Sequence, residues 1–161
     1  MQLFFTLPDS KPNVLVTAAL DTPLHSPGAL FHASSIAAIL ALMGCKPKPA
    51  VAWLLSNAQA YGQLRGTAAF LQAQVPHIEQ VVSLTALGCR QSRLVYQSWD
   101  SSLATDLEKL GLEATDALLP RFASELPELV LTSSNQRLLS SVRDTQLDTL
   151  ACIDRQLLKE Q

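Results

Sequence analysis

Charged side chains are scarce in this sequence. Asp, Glu, Lys and Arg together make up 16% of its 161 residues, well below the roughly 25% of an ordinary soluble domain. The 12 basic and 14 acidic residues nearly balance, which leaves a net charge of −2. A chain of this charge has no general attraction to nucleic acid or to anionic lipid. We therefore expect no nucleic-acid partner, and a surface formed largely by uncharged polar groups.

Cysteine is also scarce, and its spacing excludes two classes of small protein. The three cysteines, Cys45, Cys89 and Cys152, lie far apart and never form a CxxC pair, so neither a disulfide framework nor a zinc knuckle is indicated. Three widely separated cysteines without a disulfide pattern are typical of a protein in a reducing compartment. The first residues, MQLFFTLPDSKPN, lack the basic start and apolar core of a secretory signal, and we predict a cytoplasmic protein.

No apolar run is long enough to span a bilayer. The most apolar run, Ala29 to Met43, is interrupted by His32, Ser34 and Ser35 and is shorter than the roughly 20 residues that a spanning helix needs. The sequence therefore predicts no membrane insertion.

Motifs that define common active sites are missing as well. The sequence contains no GxxxxGK[ST], GxGxxG, GxSxG or HExxH, so phosphate loops, serine-hydrolase elbows and helical zinc sites are not indicated. His25, His32 and His77 do not have metal-ligand spacing. Asp144 and Asp148 are one helical turn apart, a pattern that is usually only solvated charge on an exposed face. We assign no catalytic residue, cofactor or metal from the sequence.

Cys89 is the one candidate nucleophile. It follows Gly88 and precedes Arg90, with His77 upstream, and a cysteine needs a nearby imidazolium or a helix N-terminus to become a reactive thiolate. If Ile78 to Leu87 is helical, Cys89 lies at the C-terminal end of that helix, where the dipole disfavours negative charge. We therefore interpret Cys89 as a buried or turn cysteine.

Residues that typically begin and end helices are frequent in the first half of the chain. Residues 1–25 predict an extended or β arm and a loop. Ser26, Pro27 and Gly44 predict a helix over Pro27–Met43, and apolar spacing predicts a second helix over Ala50–Tyr61. The short connection 46–49 would make these two helices an antiparallel hairpin.

The second half contains both clear and ambiguous segments. Asp100 to Ser102 form a capping cluster that predicts a helix ending at Gly111. Pro76–Leu87 predicts a helix, with a buried strand over VVSLTAL as the competing interpretation because β-branched residues cluster there. The spacing of apolar residues over 134–160 predicts a long amphipathic C-terminal helix.

These patterns predict a mainly α fold, a single helical domain over 1–161 with an α-hairpin, a long C-terminal helix and a small N-terminal β element. The alternative is an α/β layered domain. Its strands would lie near Val14–Leu20, Gln80–Leu87, Leu94–Gln97 and Leu129–Thr132.

The almost uncharged hairpin indicates a protein-binding surface. Between Thr22 and Leu64 the only charged residues are Lys46 and Lys48, and burying uncharged groups against a partner avoids the desolvation cost of charges. We predict that another protein, or a second copy, binds through the hairpin or the last helix. The predicted partner-binding residues are Ala37, Leu40, Leu54, Leu147, Leu150 and Leu157.

Two functions follow from these predictions. The first is a non-enzymatic cytosolic adaptor, chaperone or assembly subunit. The segments ALGCRQSRLVYQSW and DLEKLGLEA, each with a Leu-Gly helix end, are similar to cytoplasmic scaffold components of bacterial secretion machines, although such ends are too common to assign residues. The alternative is a small-ligand α/β enzyme with a site near Cys89 and His77, and the sequence favours the first.

Overall fold

A computed structural model of the chain describes residues 2–45, 50–57, 65–73, 77–117, 119 and 126–161. Seven strands form one sheet. The strands are β1 Gln2–Phe5, β2 Val14–Ala19, β3 Val51–Ser56, β4 Gln80–Leu84, β5 Leu94–Ser98, β6 Glu113–Ala114 and β7 Glu128–Ser133. The α-helices are α1 Ser34–Gly44, α2 Arg65–Gln72, α3 Ser101–Lys109, α4 Gln136–Val142 and α5 Arg155–Glu160. A π-helical turn, Ala29–Ala33, precedes α1, and a 3₁₀ turn, Leu150–Cys152, precedes α5.

The sheet is mixed and has a parallel centre. Its strand order is β1-β3-β2-β4-β7-β5-β6. Strands β3, β2, β4 and β7 are parallel to one another, whereas β1 and β5 pair antiparallel with β3 and β7. In this register Leu15 of β2 lies opposite Ala52 of β3 and Val81 of β4.

The central strands are buried on both faces, which explains their continuous apolar runs. Leu15, Leu54 and Val81 are fully buried in one cluster, which α2 covers through Phe70. The other face packs around Ile39 of α1. Helices on the two faces of a parallel sheet define an α/β layered domain.

The predicted mainly α fold is therefore wrong, and the error begins at the second predicted helix. Val51–Ser56, inside the predicted helix Ala50–Tyr61, is the strand β3, so the α-hairpin does not exist. A short apolar run that is buried on both faces has no period that separates a strand from a helix. The proposed connection 46–49 and the end of that helix, 58–61, lie outside the described residues.

The helix predicted over Pro76–Leu87 is wrong for the same reason. Strand β4 occupies Gln80–Leu84. The alternative α/β prediction is the better one. Its four strands overlap β2, β4, β5 and β7.

The long C-terminal helix predicted over 134–160 is also wrong. Helix α4 ends at Val142, and Asp144 then adopts a left-handed conformation with φ of 57°. Thr149 and Asp154 accept hydrogen bonds from backbone N–H groups two or three residues ahead of them. Such side chains compete with helical hydrogen bonds, so the segment breaks into α4, the 3₁₀ turn and α5.

Helix boundaries set by capping residues were predicted better. The Asp100 carboxylate accepts a hydrogen bond of 2.9 Å from the Leu103 N–H at the start of α3, and Gly111 follows the helix with φ of 81°. No helix in the described part of the chain is long and apolar enough to cross a membrane.

Candidate functional site

The candidate site lies at the edge where the parallel strands β3, β2, β4 and β7 end. The chain runs from β2 to β3 on one side of β2, and then crosses to β4 on the other side. In open α/β sheets, the crevice at such a reversal, outside the carboxyl ends of the strands, is where ligands bind. The loop that follows β2 is therefore the first place to look for functional side chains.

This loop closes tightly around Gly28. Gly28 has φ of 68°, a left-handed conformation that suits glycine. A Cβ atom at this position would lie 2.0 Å from Thr22 Cγ2 and 3.1 Å from His32 Cδ2. The π-helical turn follows directly, with the Ala33 N–H donating to the Gly28 carbonyl at 2.9 Å. Single π-helical turns are uncommon in proteins, and many of those that occur lie at functional sites.

His32, on this π-helical turn, has the environment of a proton acceptor. Its Nδ1 atom is buried and has no hydrogen-bond partner among the described residues. Burial lowers the pKa of His32 below its ordinary 6.5, and Arg143 lowers it further, while the carboxylates of Asp148, Asp21 and Asp144 oppose the shift. A lowered pKa keeps the imidazole neutral at physiological pH, the form that can accept a proton.

Asp148 holds the π-helical turn in place from a distant part of the chain. Its side chain is 0% exposed. Oδ1 accepts a hydrogen bond of 2.6 Å from the Leu30 N–H, and Oδ2 accepts one of 3.4 Å from the Ser26 hydroxyl. The Asp148 carbonyl also accepts from the Ala29 N–H at 3.2 Å. Since the Ala29 and Leu30 N–H groups begin a helical segment, Asp148 caps it through its carbonyl and its carboxylate and fixes the turn that carries His32.

Arg143 and Asp144 lie beside this anchor. The Arg143 guanidinium carbon lies 5.7 Å from the centre of the Phe31 ring, a cation–π distance. Its Nε atom is 3.9 Å from Asp144 Oδ2. The loop after α4 therefore places one positive and one negative side chain beside the π-helical turn.

Cys89 is not a nucleophile in this fold. Its side chain is 0% exposed, and burial raises the pKa of its thiol from 9.0 to about 11. The thiol donates a hydrogen bond to the Arg90 carbonyl at 3.7 Å. His77 precedes β4 whereas Cys89 follows it, so the strand separates the two residues that the enzyme alternative had paired.

The predicted partner-binding residues do not share one location. Leu54 is fully buried in the sheet core and is not available to a partner. Leu40, Leu147 and Leu150 are 56%, 64% and 65% exposed. Ala37 is exposed as well and Leu157 is half-buried, and their contribution to a partner surface stays a prediction.

Sequence reasoning missed the grouping of His32, Asp21 and Asp148. One signal was present, because Asp21 directly follows the apolar run VLVTAAL and begins a loop rich in turn formers. Asp148 gave no such signal. Its spacing from Asp144 indicated solvated charge on a long helix, and only the break in that helix brings it to the buried side.

Comparisons with known proteins define the class of the fold. No family model matches the sequence, and no curated protein matches it. Solved structures do match, and they include aminopeptidases and glutaminyl cyclases. The fold is therefore one that enzymes of these two kinds use.

Three structures illustrate this likeness. A zinc aminopeptidase from Bacillus subtilis is 17% identical with a TM-score of 0.73, over 99% of this chain and 46% of that one. An aminopeptidase from Legionella pneumophila is 15% identical with a TM-score of 0.73, over 98% and 54%. A glutaminyl cyclase from Bacteroides thetaiotaomicron, bound to N-acetylhistamine, is 17% identical with a TM-score of 0.73, over 98% and 73%. The chain thus spans about half the length of these two aminopeptidases.

This fold also corrects the predicted function. The adaptor, chaperone or scaffold prediction depended on a helical hairpin and a long C-terminal helix, and neither exists. The prediction is wrong, and the alternative of an α/β enzyme agrees better with the fold. The candidate site described above lies around His32 and not near Cys89 and His77, where this alternative placed it.

Proposed function

We propose that the chain is an acyl-transfer enzyme whose site lies at the carboxyl edge of the parallel strands, with His32 as the proton acceptor. The observation that carries this proposal is the buried Nδ1 atom of His32, which has no partner within the described residues. General bases work best when they are neutral at the operating pH and can reach the proton they remove. The lowered pKa of His32 meets the first requirement.

Zinc does not enter the proposed reaction. The Bacillus subtilis aminopeptidase is a zinc enzyme, and a catalytic zinc takes three protein ligands from His, Cys, Asp or Glu. In the described part of this chain, no three such side chains form a group that could hold a metal. The proposed steps therefore use only groups of the chain itself.

The proposed reaction is the attack of an amine on an amide carbonyl within one substrate molecule. His32 accepts the proton that the attacking nitrogen loses. A new C–N bond forms, the bond between the carbonyl carbon and the leaving nitrogen breaks, and the proton returns from the imidazolium to the departing amine. For a peptide that begins with glutamine, the α-amine attacks the side-chain amide and ammonia leaves.

Cyclisation is favoured over hydrolysis for a physical reason. A nucleophile within the same molecule has an effective concentration that reaches about 10⁵ M or more when it is well oriented. A site without a metal to activate water gains most from a substrate that carries its own nucleophile.

The test measures ammonia release from glutaminyl peptides and amine release from aminoacyl amides in the presence of a metal chelator. We expect the whole chain to convert the glutaminyl peptide faster than heat-denatured protein does. We expect His32→Gln to lower that rate about 10²-fold or more, because it removes the general base. The matched control is His25→Gln, in an exposed part of the same loop, which should leave the rate unchanged.

The pH profile gives a second readout. Because the neutral imidazole is the active form and its pKa is lowered from 6.5, kcat/KM should rise with pH and level off below pH 6.5. No conversion by the wild-type chain, or equal rates for His32→Gln and wild type, would show that the proposal is wrong.

A further inference from the structure

We infer that the carboxyl edge of this sheet binds no zinc ion, although a zinc aminopeptidase has the same fold. This inference goes beyond the proposed reaction, since it concerns the metal content and the stability of the folded chain whatever it catalyses. It depends on which donor atoms the chain brings to the edge, and on what those atoms already do.

The residues that first follow the parallel strands are poor zinc ligands. Asn57 follows β3, Thr85 follows β4 and Ser134 follows β7. Zinc in proteins is bound by thiolate, imidazole and carboxylate groups, whereas these positions carry an amide and two hydroxyls. Asp21, two residues beyond β2, is the one carboxylate that lies within three sequence positions after the end of any of these strands.

Asp148 and Asp144, two further acidic groups near His32, are engaged with the protein. Both carboxylate oxygens of Asp148 lie within hydrogen-bond distance of donors in the segment before α1. A zinc ion bound by Asp148 would compete for the oxygen that accepts from the Leu30 N–H, and a buried N–H group that loses its acceptor destabilises the fold. Asp144 lies next to the Arg143 guanidinium, a positive charge that opposes a cation there.

Histidine and cysteine do not complete a ligand set. His32 is the one histidine near the edge, because His25 is exposed in the loop and His77 precedes β4. The pKa of Cys89 is raised to about 11 by burial, so the thiolate that zinc needs is disfavoured. The Cys152 thiol is buried as well and donates to the Leu147 carbonyl at 3.2 Å.

Segments outside the described ranges add almost nothing to this donor set. Residues 58–64, which follow β3, read AQAYGQL and contain no His, Cys, Asp or Glu. In all the remaining undescribed positions, Glu125 is the one residue of these four types, and it precedes β7 in the chain. Beside His32 and Asp21, which could supply two ligands, the chain therefore offers no evident source for the third protein ligand that a catalytic zinc takes.

The test measures zinc directly and does not depend on activity. Whole chain is incubated with excess zinc, dialysed and analysed by elemental mass spectrometry, with the Bacillus subtilis aminopeptidase as a positive control. We expect far less than one zinc ion per chain, and a Tm that neither zinc nor chelator changes. A ligand that binds the folded state would raise the Tm with concentration.

If the chain retains zinc, single-residue variants show whether the ion is bound at the carboxyl edge of the sheet. One equivalent of zinc that is lost in His32→Gln or Asp21→Asn, but kept in His25→Gln, would overturn the inference. Zinc that is kept in both His32→Gln and Asp21→Asn lies elsewhere and supports it. Failure of the proposed reaction leaves this result unaffected, because the readout is metal content.

Discussion

At the scale of single residues, Gly28 connects the loop after β2 to the imidazole of His32. Its left-handed backbone and its contact with Thr22 leave no space for a side chain. Gly111 has a similar φ of 81°, but no atom lies within 4 Å of the position of its Cβ. A comparison of alanine substitutions at the two glycines therefore distinguishes the free-energy cost of the left-handed backbone, which both share, from the cost of steric crowding, which applies to Gly28 alone.

We predict that Gly28→Ala destabilises the chain more than Gly111→Ala. A left-handed conformation costs a residue with a Cβ roughly 1–2 kcal/mol, and this cost applies to both variants. Gly28→Ala adds overpacking against Thr22, typically about 1–3 kcal/mol more. Urea unfolding of both variants measures the difference, and equal losses would show that the loop relaxes around the new methyl group.

Single residues also mark the limit of sequence analysis for the site. The carboxylate of Asp100 was predicted as a cap because its partner, Leu103, is three residues away. Asp148 caps a helix through Leu30, which is 118 positions away. Local caps follow from sequence spacing, whereas a cap supplied by a distant residue follows only from the folded chain.

At the scale of elements, the π-helical turn and α1 depend on the loop that follows α4. Two backbone N–H groups at the start of the turn donate to Asp148, one to its side chain and one to its carbonyl. Asp144 lies in the same loop, but its side chain is exposed. The two aspartates therefore differ in burial and in the hydrogen bonds they accept.

We predict that Asp148→Ala lowers the free energy of unfolding by about 1–3 kcal/mol, the cost of a buried donor left without its acceptor. Asp148→Asn should lose less, because its amide oxygen can still accept from Leu30. Asp144→Asn is the matched control and should change stability by less than about 0.5 kcal/mol, as surface substitutions usually do. Chemical unfolding measures all three variants. A loss in Asp144→Asn equal to that in Asp148→Ala would contradict the anchoring role.

Elements with a clear spacing of apolar residues or with clear capping residues were predicted correctly from the sequence. Elements buried on both faces were not. Helix α3 has Asp100 at its start and Gly111 beyond its end, and its sequence prediction was confirmed. Strand β3 is buried on both faces, so its apolar run carried no alternation that would distinguish it from a helix. The competing β assignment for β4 was correct because β-branched residues fit a buried pleated surface.

At the scale of the whole molecule, acid should destabilise the fold through His32. The folded protein lowers the pKa of His32 below 6.5, so between the folded and unfolded pKa values the unfolded chain binds more protons. Stability from this group is therefore complete above pH 6.5 and is lost as the pH falls through the folded pKa. The lowered pKa of Asp100, from its hydrogen bond to Leu103, acts in the same direction at lower pH.

We predict that the urea midpoint of the wild-type chain declines as the pH is lowered from 7 to 5, and that His32→Gln flattens this decline. His25→Gln should follow the wild-type curve, because no buried group is removed. Midpoints measured at constant ionic strength test this. A decline of the same size in His32→Gln would assign the acid sensitivity to other groups.

Topology was the part of the whole molecule that the sequence could not supply. Four of the strands were located by the α/β alternative, but their order follows from packing. Strand β7, for example, lies between β4 and β5 although it is the last of the described strands in the sequence. The edge where the candidate site lies is a product of this order, which explains why sequence spacing does not connect His32 with Asp148.

The bond between Asp148 and Leu30 also has a consequence for the way the protein is made. During synthesis the loop that carries His32 emerges early, but its cap emerges 118 residues later. Strand β7 also completes the sheet late, and contacts between distant segments form slowly because they close large loops. We expect a nascent chain released before residue 148 to have much of its sheet and no ordered pocket around His32. The pocket around His32 would then become ordered only after residue 148 has left the ribosome.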